Sequence, residues 1–338
     1  MATIYDVARE AEVSVGTVSN VINGKSTVTP ELRQRVEVAM RKIGYVPNPN
    51  ARGLARGRST SIGVLYPFNP HHCAGTSYLD FVSQIVTQAQ RYHCQVVLFP
   101  STSADAAMED LRTIVQGQQV GSFILFEVEL EDPRVDFLQK HEVPFVMVGR
   151  TADPQGLSYV DSDVEQIVGD GLQHLAEVGC TRIAHLGRKS AIGVDYQIYN
   201  ELMTQAPKYN LSFGEAHSLW TDWSPEERLY VVDYFIKRHR QFDALIISEA
   251  AVRLQFVQEV LRSGLRIPDD FLVLGYMGTH LDEYTYPSIT AFDVQAGVIV
   301  EKAVAMLVDQ DYKGPRQILV PGRLEIRDST RKRSYVEA

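Results

Sequence analysis

From residue 61 onward, short continuous apolar runs alternate with amphipathic stretches of helical spacing. The apolar runs predict strands and read, in chain order, IGVLY, VVLF, FILF, FVMVG, RIAHLG, ALIIS and FLVLGY. Helices are predicted between them, for example over 77–92 and 104–116, because apolar side chains recur there at helical spacing. Strands that are apolar throughout are typical of parallel sheets covered by helices on both faces. The pattern therefore predicts an α/β fold for most of the chain.

The alternation runs in two successive series, which predicts two doubly wound lobes with a cleft between them. The second series begins with the helical stretch VEQIVGDGLQHLAEVG at 164–179. At 338 residues the chain is long enough for two such cores and a short additional domain. In open parallel sheets, ligands bind outside the carboxyl ends of the strands. A ligand site is therefore expected in the cleft.

The first 45 residues instead have the pattern of three short amphipathic helices. Ser14 precedes the second helix, where its hydroxyl can cap the first turn, and Asn23-Gly24 supplies a left-handed exit. Thr29 is the expected N-cap of the third helix, which should end at Gly44. By pattern alone, this all-α head is either a helix-turn-helix or a three-helix bundle without a ligand.

Charge is distributed unevenly along the chain. The formal net charge is −9, but residues 1–60 carry nine Lys or Arg against five acids, a balance of +4, which leaves −13 on the remainder. Binding to nucleic acid needs Lys and Arg that displace counterions from phosphates. A basic head on an acidic body therefore indicates that the head meets a polyanion while the body has another task.

Several classes of protein are disfavoured. No apolar run approaches the roughly 18 residues of a membrane span. The start, MATIYDVARE, has neither the basic flank nor the apolar core of a signal peptide, so we expect a cytoplasmic protein without a membrane partner. The three cysteines are far apart and form no CxxC pair, so we expect reduced thiols.

No motif points to an enzyme, a cofactor or a metal. There is no GxGxxG, and GRKS at 187–190 lacks the upstream glycine of a phosphate loop. His71, His72 and Cys73 are potential ligands, but adjacent side chains rarely converge on one ion, and hydrogen bonding explains them as readily. We therefore expect no catalytic residue, no cofactor and no metal site.

Both parts of the chain resemble one family. The segment DVAREAEVSVGTVSNVINGKSTVTPELRQRVEVAMRKIGYVPN resembles the head of the lactose-repressor (LacI/GalR) family of bacterial transcription regulators. SIGVLYP, YVDSD, GLRIPDDFLVLGY, YPSITAF and LVPGRLEIRDST resemble its effector-binding core, which is similar to periplasmic sugar-binding proteins. The resemblance implies a helix-turn-helix domain 1–46, a hinge 47–60 and an effector-binding and dimerisation domain 61–338, with an N-lobe 61–160 plus 291–320 and a C-lobe 161–290 plus 321–338.

The resemblance also implies that residues 15–23 form a recognition helix in the major groove. The base-reading positions of the family fall on Val15, Gly16 and Asn20. Asn20 can pair with adenine, Val15 can contact a thymine methyl group, and Gly16 lets the backbone approach closely. The other expected contacts of the head with DNA are three hydroxyls suited to phosphate oxygens and three flanking positions: Ser14, Thr17, Ser19, Thr3, Asn23 and Tyr45.

The segment YVPNPNARGLARGRSTS at 45–61 has the composition of a linker. Within it, NARGLARG could form two helical turns, which are too short to be stable in water, so we expect them to fold on DNA. The resemblance implies a hinge helix in the minor groove, where Leu54 wedges between the central base pairs and kinks the duplex. The expected contacts are Asn50, Arg52, Leu54 and Ala55. A plain flexible linker is the alternative.

The cleft is where the sequence departs from the family. The positions of three polar sugar contacts of relatives fall on Asp195, Ala250 and Met277, so all three are changed. The expected effector-binding residues are Phe68, Tyr78, Asp163, Arg188, Tyr196, Trp223, Glu249 and Met277, with Asn69, His71, His72 and Tyr276 as neighbours. Trp223 offers a flat face for stacking, whereas Asp163 equally suits an N-cap and Tyr276 equally suits core packing.

Together these features predict a homodimeric, sequence-specific repressor that binds palindromic operator DNA. A small molecule between the lobes, expected to be a carbohydrate, controls it. A non-sugar metabolite and a cleft that has lost its ligand are the alternatives for this site. The rival classes are a transporter solute-binding protein, which would need export, and a nucleotide-using enzyme, which would need a phosphate loop.

Overall fold

The structure is a computed structural model. It describes residues 3–22, 28–45, 61–67, 75–101, 104–189, 192–222, 224–309, 311–314 and 316–331.

The head contains three helices, α1 (Ile4–Glu10), α2 (Val15–Ile22) and α3 (Pro30–Lys42). They pack around a small core in which Val7, Val18 and Val36 are fully buried. The three predicted helices are therefore confirmed.

The predicted ends of these helices are also observed. The Ser14 hydroxyl accepts from the Thr17 amide at 3.0 Å, and the Thr29 hydroxyl accepts from the Leu32 amide at 3.4 Å, so both cap a first turn. Gly44 has a φ of +65°, the left-handed conformation that ends α3. The exit predicted at Asn23-Gly24 lies outside the described residues.

Strands and helices alternate through the body. In chain order they are β1 (Ser61–Pro67), α4 (Gly75–Arg91), β2 (Gln95–Ser101), α5 (Ala104–Gln116), β3 (Ser122–Leu125), α6 (Pro133–Lys140), β4 (Phe145–Val148), β5 (Tyr159–Ser162), α7 (Val164–Glu177), β6 (Ile183–Arg188), α8 (Gly193–Gln205), β7 (Ser218–Thr221), α9 (Pro225–Arg238), β8 (Ala244–Ile247), α10 (Ala250–Arg262), β9 (Leu272–Met277), α11 (Leu281–Tyr284), β10 (Thr290–Asp293), α12 (Ala296–Val308), β11 (Gln317–Val320) and β12 (Arg323–Glu325). Single 3-10 turns lie at Ala206–Tyr209, Glu215–His217, His239–Gln241 and Asp328–Thr330.

Two six-stranded sheets organise these elements. The order in the first sheet is β2-β1-β3-β4-β5-β11, with every pair parallel. The second sheet has the equivalent order β7-β6-β8-β9-β10-β12, and only its edge strand β12 runs antiparallel. We call the parts built on these sheets the N-lobe and the C-lobe. The predicted pair of doubly wound α/β lobes is confirmed.

The chain passes between the two sheets three times, after β5, β10 and β11. Helix α12 therefore lies in the N-lobe, where it packs on α4, although it follows a strand of the C-lobe. Apolar runs alone did not identify β5, β7 and β10, because these four-residue strands contain polar residues. Pairing with neighbouring strands of the two sheets fixes them instead.

A fully buried ion pair ties α10 to the sheet of the C-lobe. Arg253 and Asp282 are both 0% exposed, with Arg253 Nη2 2.8 Å from Asp282 Oδ2. The same nitrogen donates to the Met277 carbonyl at 2.9 Å, and Asp282 also accepts from the Thr279 amide at 2.7 Å. The guanidinium lies so close to β9 that a Cβ at Gly275 would be 2.5 Å from it. This pair fixes the carboxyl end of β9.

We predict that Arg253→Met lowers the free energy of unfolding of the body by about 3–5 kcal/mol, because Asp282 would be left buried without its cation. Urea denaturation followed by circular dichroism measures this loss. Arg262→Met is the matched control, since the Arg262–Glu259 pair on the same helix is exposed. Similar losses in both variants would contradict the structural role of the buried pair.

Candidate functional site

A cavity of about 130 Å³ lies between the lobes. The carboxyl ends of strands from both sheets form it, as expected for ligand sites in doubly wound folds. Its lining comprises Phe81, Phe126, Glu127, Val128, Val148, Gly149, Arg150, Asp161, Ser162, Arg188, Ile192, Val194, Asp195, Ile198, Ser248, Glu249, Tyr276, Met277, Val294 and Ile299.

Arg188, at the end of β6, lies between carboxylates of both lobes. Its Nη1 donates to Glu127 Oε1 of the N-lobe at 2.6 Å. Its Nε donates to Asp195 Oδ2 of the C-lobe at 3.1 Å, and Glu249 Oε2 is 4.0 Å from Nη1. The Arg188 side chain is only 12% exposed, so these charges interact with little screening by solvent. The guanidinium thus connects the two walls of the cleft.

Three further contacts hold the lobes together. Arg150 Nη2 donates to Gln197 Oε1 at 2.7 Å. The Gly193 amide donates to the Val128 carbonyl at 2.9 Å. The hydroxyls of Ser162 and Tyr276 share a hydrogen bond of 2.7 Å.

Glycine is required at position 193 for this closed arrangement. A Cβ there would lie 2.8 Å from the Arg150 carbonyl oxygen of the opposite lobe. Because that contact is to backbone, a side chain would force the walls of the cleft apart.

Asp161, near the end of β5, is a buried carboxyl group of the lining. It is 4% exposed. Its Oδ1 accepts from the Ser162 amide at 2.8 Å, whereas its Oδ2 has no hydrogen-bond partner among the described residues. Arg150 Nε lies 3.6 Å from Oδ2, which is an ion pair rather than a hydrogen bond. Burial raises the pKa of Asp161 to about 6, although Arg150 acts in the opposite direction.

The cavity brings together some of the effector-binding residues predicted from sequence. Arg188, Glu249 and Met277 line it, as do Asp195, which is at the position of a changed sugar contact, and the neighbour Tyr276.

Other described residues that were predicted to bind the effector do not line this cavity. Asp163 caps α7, where its Oδ1 accepts from the Gln166 amide at 3.1 Å, and it does not line this cavity. Tyr196 stacks on Trp220 with ring centroids 5.4 Å apart, also outside the lining. Ala250 is buried at the start of α10. The side chains of Phe68, Asn69, Tyr78, His71, His72, Cys73 and Trp223 lie outside the described part of the chain, so their predicted roles stay predictions.

Sequence reasoning missed Glu127, Arg150 and Asp161. Glu127 directly follows the apolar run FILF, and Arg150 directly follows the apolar run FVMVG. Polar residues directly after buried strands were therefore the available signal. The sequence signal for Asp161 was weaker, because this residue lies inside the short segment YVDSD and does not follow an apolar run.

The head residues that we predict to contact DNA differ in how exposed they are to solvent. Gly16 is exposed, while Asn20, Thr17 and Ser19 on the same helix are partly exposed. Val15 and Tyr45 pack against the head core and are only partly accessible. The hydroxyls of Thr3 and Ser14 accept from the first-turn amides of α1 and α2. The predicted contacts Asn23, Asn50, Arg52, Leu54 and Ala55 lie outside the described residues.

None of the described helices is long and apolar enough to cross a membrane. Within the described residues, there is also no group of three or more His, Cys, Asp and Glu side chains suited to holding a metal ion.

We predict that Asp161→Asn stabilises the protein at neutral pH. A carboxyl whose pKa is raised from 3.8 to about 6 disfavours the folded state where it must ionise, which is above pH ~6. The variant should gain on the order of 2–3 kcal/mol at pH 7.5, and this gain should vanish as the pH falls from about 6 to about 4. Urea denaturation at pH 7.5 and pH 4 measures both values. A variant that is less stable than the parent at pH 7.5 would contradict the raised pKa of Asp161.

Comparisons with known proteins agree with both parts of the fold. Residues 3–48 match the family model described as bacterial regulatory proteins, lacI family, and residues 172–330 match the periplasmic binding protein-like domain. Catabolite control protein A of Priestia megaterium is 25% identical over 338 residues, which cover 97% of this chain and 99% of the relative.

Two solved structures share the fold over the whole chain. The lac repressor dimer bound to operator and the anti-inducer ONPF has a TM-score of 0.76 at 24% identity, covering 97% of this chain and 99% of that one. The CelR-cellobiose complex has a TM-score of 0.72 at 24% identity, covering 97% and 100%. The chain therefore combines a head that matches the lacI family of bacterial regulatory proteins with a body that matches the periplasmic binding protein-like domain.

Proposed function

We propose that the protein is a cytoplasmic, homodimeric repressor that binds palindromic operator DNA and is controlled by a small molecule between its lobes. The observation that carries this proposal is the combination, in one chain, of a lacI-type head with a two-lobed body whose cleft contains a polar cavity. The division of labour is a DNA-binding head 1–46, a hinge 47–60 and an effector-binding and dimerisation domain 61–338.

The head binds DNA through α2. Its surface residues Gly16, Thr17 and Asn20 suit the major groove, where Asn20 can address adenine and a glycine admits the backbone closely. Helix α2 has no charged residue, so phosphate attraction comes from the basic residues elsewhere in the head and hinge. The lac repressor, whose fold this chain shares, has been solved as a dimer on its operator.

Control of DNA binding requires two states of the body with different affinities for the effector. The contacts that join the lobes, above all Arg188 with Glu127, define a closed state. A ligand that alters closure shifts the N-lobes of the dimer and thereby the hinge segments that precede them. A coupling free energy of about 1–3 kcal/mol suffices for a 5- to 150-fold change in DNA affinity.

The effector class is a carbohydrate or a close derivative. CelR has been solved with cellobiose, and it has the same two-lobed fold as this chain. A solute-binding protein of a transporter would share the body but would have no use for the head. Catalysis is not part of the proposed function, since the relatives that align along the whole chain are regulators.

Selection of sites from random duplexes with the full-length protein tests DNA recognition. We expect a two-fold symmetric site with half-sites about one helical turn apart. Asn20→Ala should relax the base preference at one position of each half-site by about 1–3 kcal/mol, because the bidentate contact is lost. Gln34→Ala, an exposed amide on α3, is the matched control. Failure to enrich any site, with and without cell-extract metabolites, would contradict the regulator assignment.

The hinge makes a separate prediction. If Leu54 wedges between base pairs at the operator centre, Leu54→Ala should weaken specific binding far more than nonspecific binding. Affinities for the selected site and for a random duplex, measured across salt concentrations, distinguish the two. Leu229→Ala, at a 71% exposed position of the C-lobe, is the control for the substitution itself. Equal losses on both duplexes would contradict the wedge.

A further inference from the structure

The lining of the cleft carries more negative than positive charge. Its described acidic and basic side chains are four carboxylates and two guanidiniums: Glu127, Asp161, Asp195, Glu249, Arg150 and Arg188. In a partly desolvated cleft, two unbalanced negative charges favour a cationic ligand and oppose an anionic one.

Most of these groups are already paired with each other. Arg188 is engaged by Glu127 and Asp195, at 2.6 Å and 3.1 Å. Arg150 donates to Gln197 at 2.7 Å. The acceptor that this network leaves without a hydrogen bond is Asp161 Oδ2, on a side chain that is 4% exposed. A buried carboxylate oxygen without a donor is costly, so a ligand that donates there gains binding energy.

The remaining wall of the cavity is apolar and aromatic. Phe81 and Phe126 form an edge-to-face pair with ring centroids 5.4 Å apart, and Val148, Val294 and Ile299 complete this side. Aromatic rings attract cations through their π-faces, and the effect is larger in desolvated sites. The volume of about 130 Å³ is close to that of the engineered cavity of ~150 Å³ that holds benzene. The closed cleft therefore suits a compact ligand, and a larger one requires the lobes to part.

We propose that the effector carries a protonated amine, which donates to Asp161 in the cleft while the apolar part of the molecule contacts the phenylalanines. This inference rests on the proposed function, in which a small molecule binds between the lobes, and it assigns that molecule an amino group whether or not the molecule is a sugar. The amine can belong to an amino sugar or to a small aliphatic amine, and both present the same ammonium group. A neutral sugar leaves the excess negative charge of the cleft uncompensated.

Isothermal titration of the full-length protein with four probes tests the proposal. Glucosamine and putrescine represent the two sources of an amine, and glucose and N-acetylglucosamine are the uncharged counterparts of the amino sugar. We expect at least one amine to bind and both uncharged sugars to bind at least about tenfold more weakly, a difference of ~1.4 kcal/mol. Binding by glucosamine alone assigns an amino sugar, whereas binding by putrescine alone assigns an aliphatic amine.

Asp161→Asn provides the second arm. It keeps the shape of the side chain and removes a buried charge, so the variant should fold at least as well as the parent. We expect it to weaken binding of the amine at least about tenfold. Asp136→Asn, which removes an exposed charge from α6 of the same lobe, is the matched control and should leave binding unchanged.

Three results would overturn the proposal: no binding by either amine at millimolar concentration, binding of glucose as tight as that of the amine that binds, or unchanged amine binding by Asp161→Asn. The operator-binding assay is independent of these titrations. Specific DNA binding without amine binding would refute this inference alone, and amine binding without specific DNA binding would refute the repressor assignment alone.

Discussion

The arrangement of the cleft depends on one guanidinium, that of Arg188. It is held at the end of β6 and bonds to Glu127 of one lobe and Asp195 of the other. A buried guanidinium requires carboxylates on several sides, because its positive charge has lost most of its hydration. Asp195 belongs to the same lobe as Arg188, so Glu127 is the partner that is in reach only when the lobes are closed. Closure in this structure is therefore stabilised by side chains of the protein itself. An effector that changes closure must break or strengthen the contacts of Arg188 with these carboxylates.

The same network explains why Asp161 is unusual. The arginines of the cleft are engaged by other partners, so this carboxylate has a long ion pair with Arg150 and hydrogen bonding from Ser162, and its Oδ2 accepts no hydrogen bond from the described residues. Its raised pKa means that the folded protein pays free energy to keep it ionised at neutral pH. Residues that lower the stability of the unliganded protein are common in binding sites, where the ligand restores the missing interaction.

The buried pair of Arg253 and Asp282 contrasts with Asp161, although both involve buried charges near the carboxyl end of a strand. The Nε, Nη1 and Nη2 atoms of Arg253 each donate to a carboxylate or carbonyl oxygen, and Asp282 also accepts from the amide and hydroxyl of Thr279. A saturated buried pair fixes a strand end and does not need a ligand. Satisfaction of hydrogen bonds, rather than burial or charge alone, separates the structural pair from the candidate binding group.

The sequence by itself determined the two α/β lobes and the three-helix head, because periodic apolar patterns and caps such as Ser14 and Thr29 act over a few neighbouring residues. It also indicated that polar residues after buried strands, among them Arg188 and Glu249, would face the cleft. Only the tertiary structure decided which of them meet. Arg188 and Glu127 are 61 positions apart, and Asp161 lies in a four-residue strand, β5, that no apolar run revealed. Pairing and burial of these groups depend on how the lobes close over one another. A local sequence pattern spans only a few residues, so it does not determine contacts between positions this far apart in the chain.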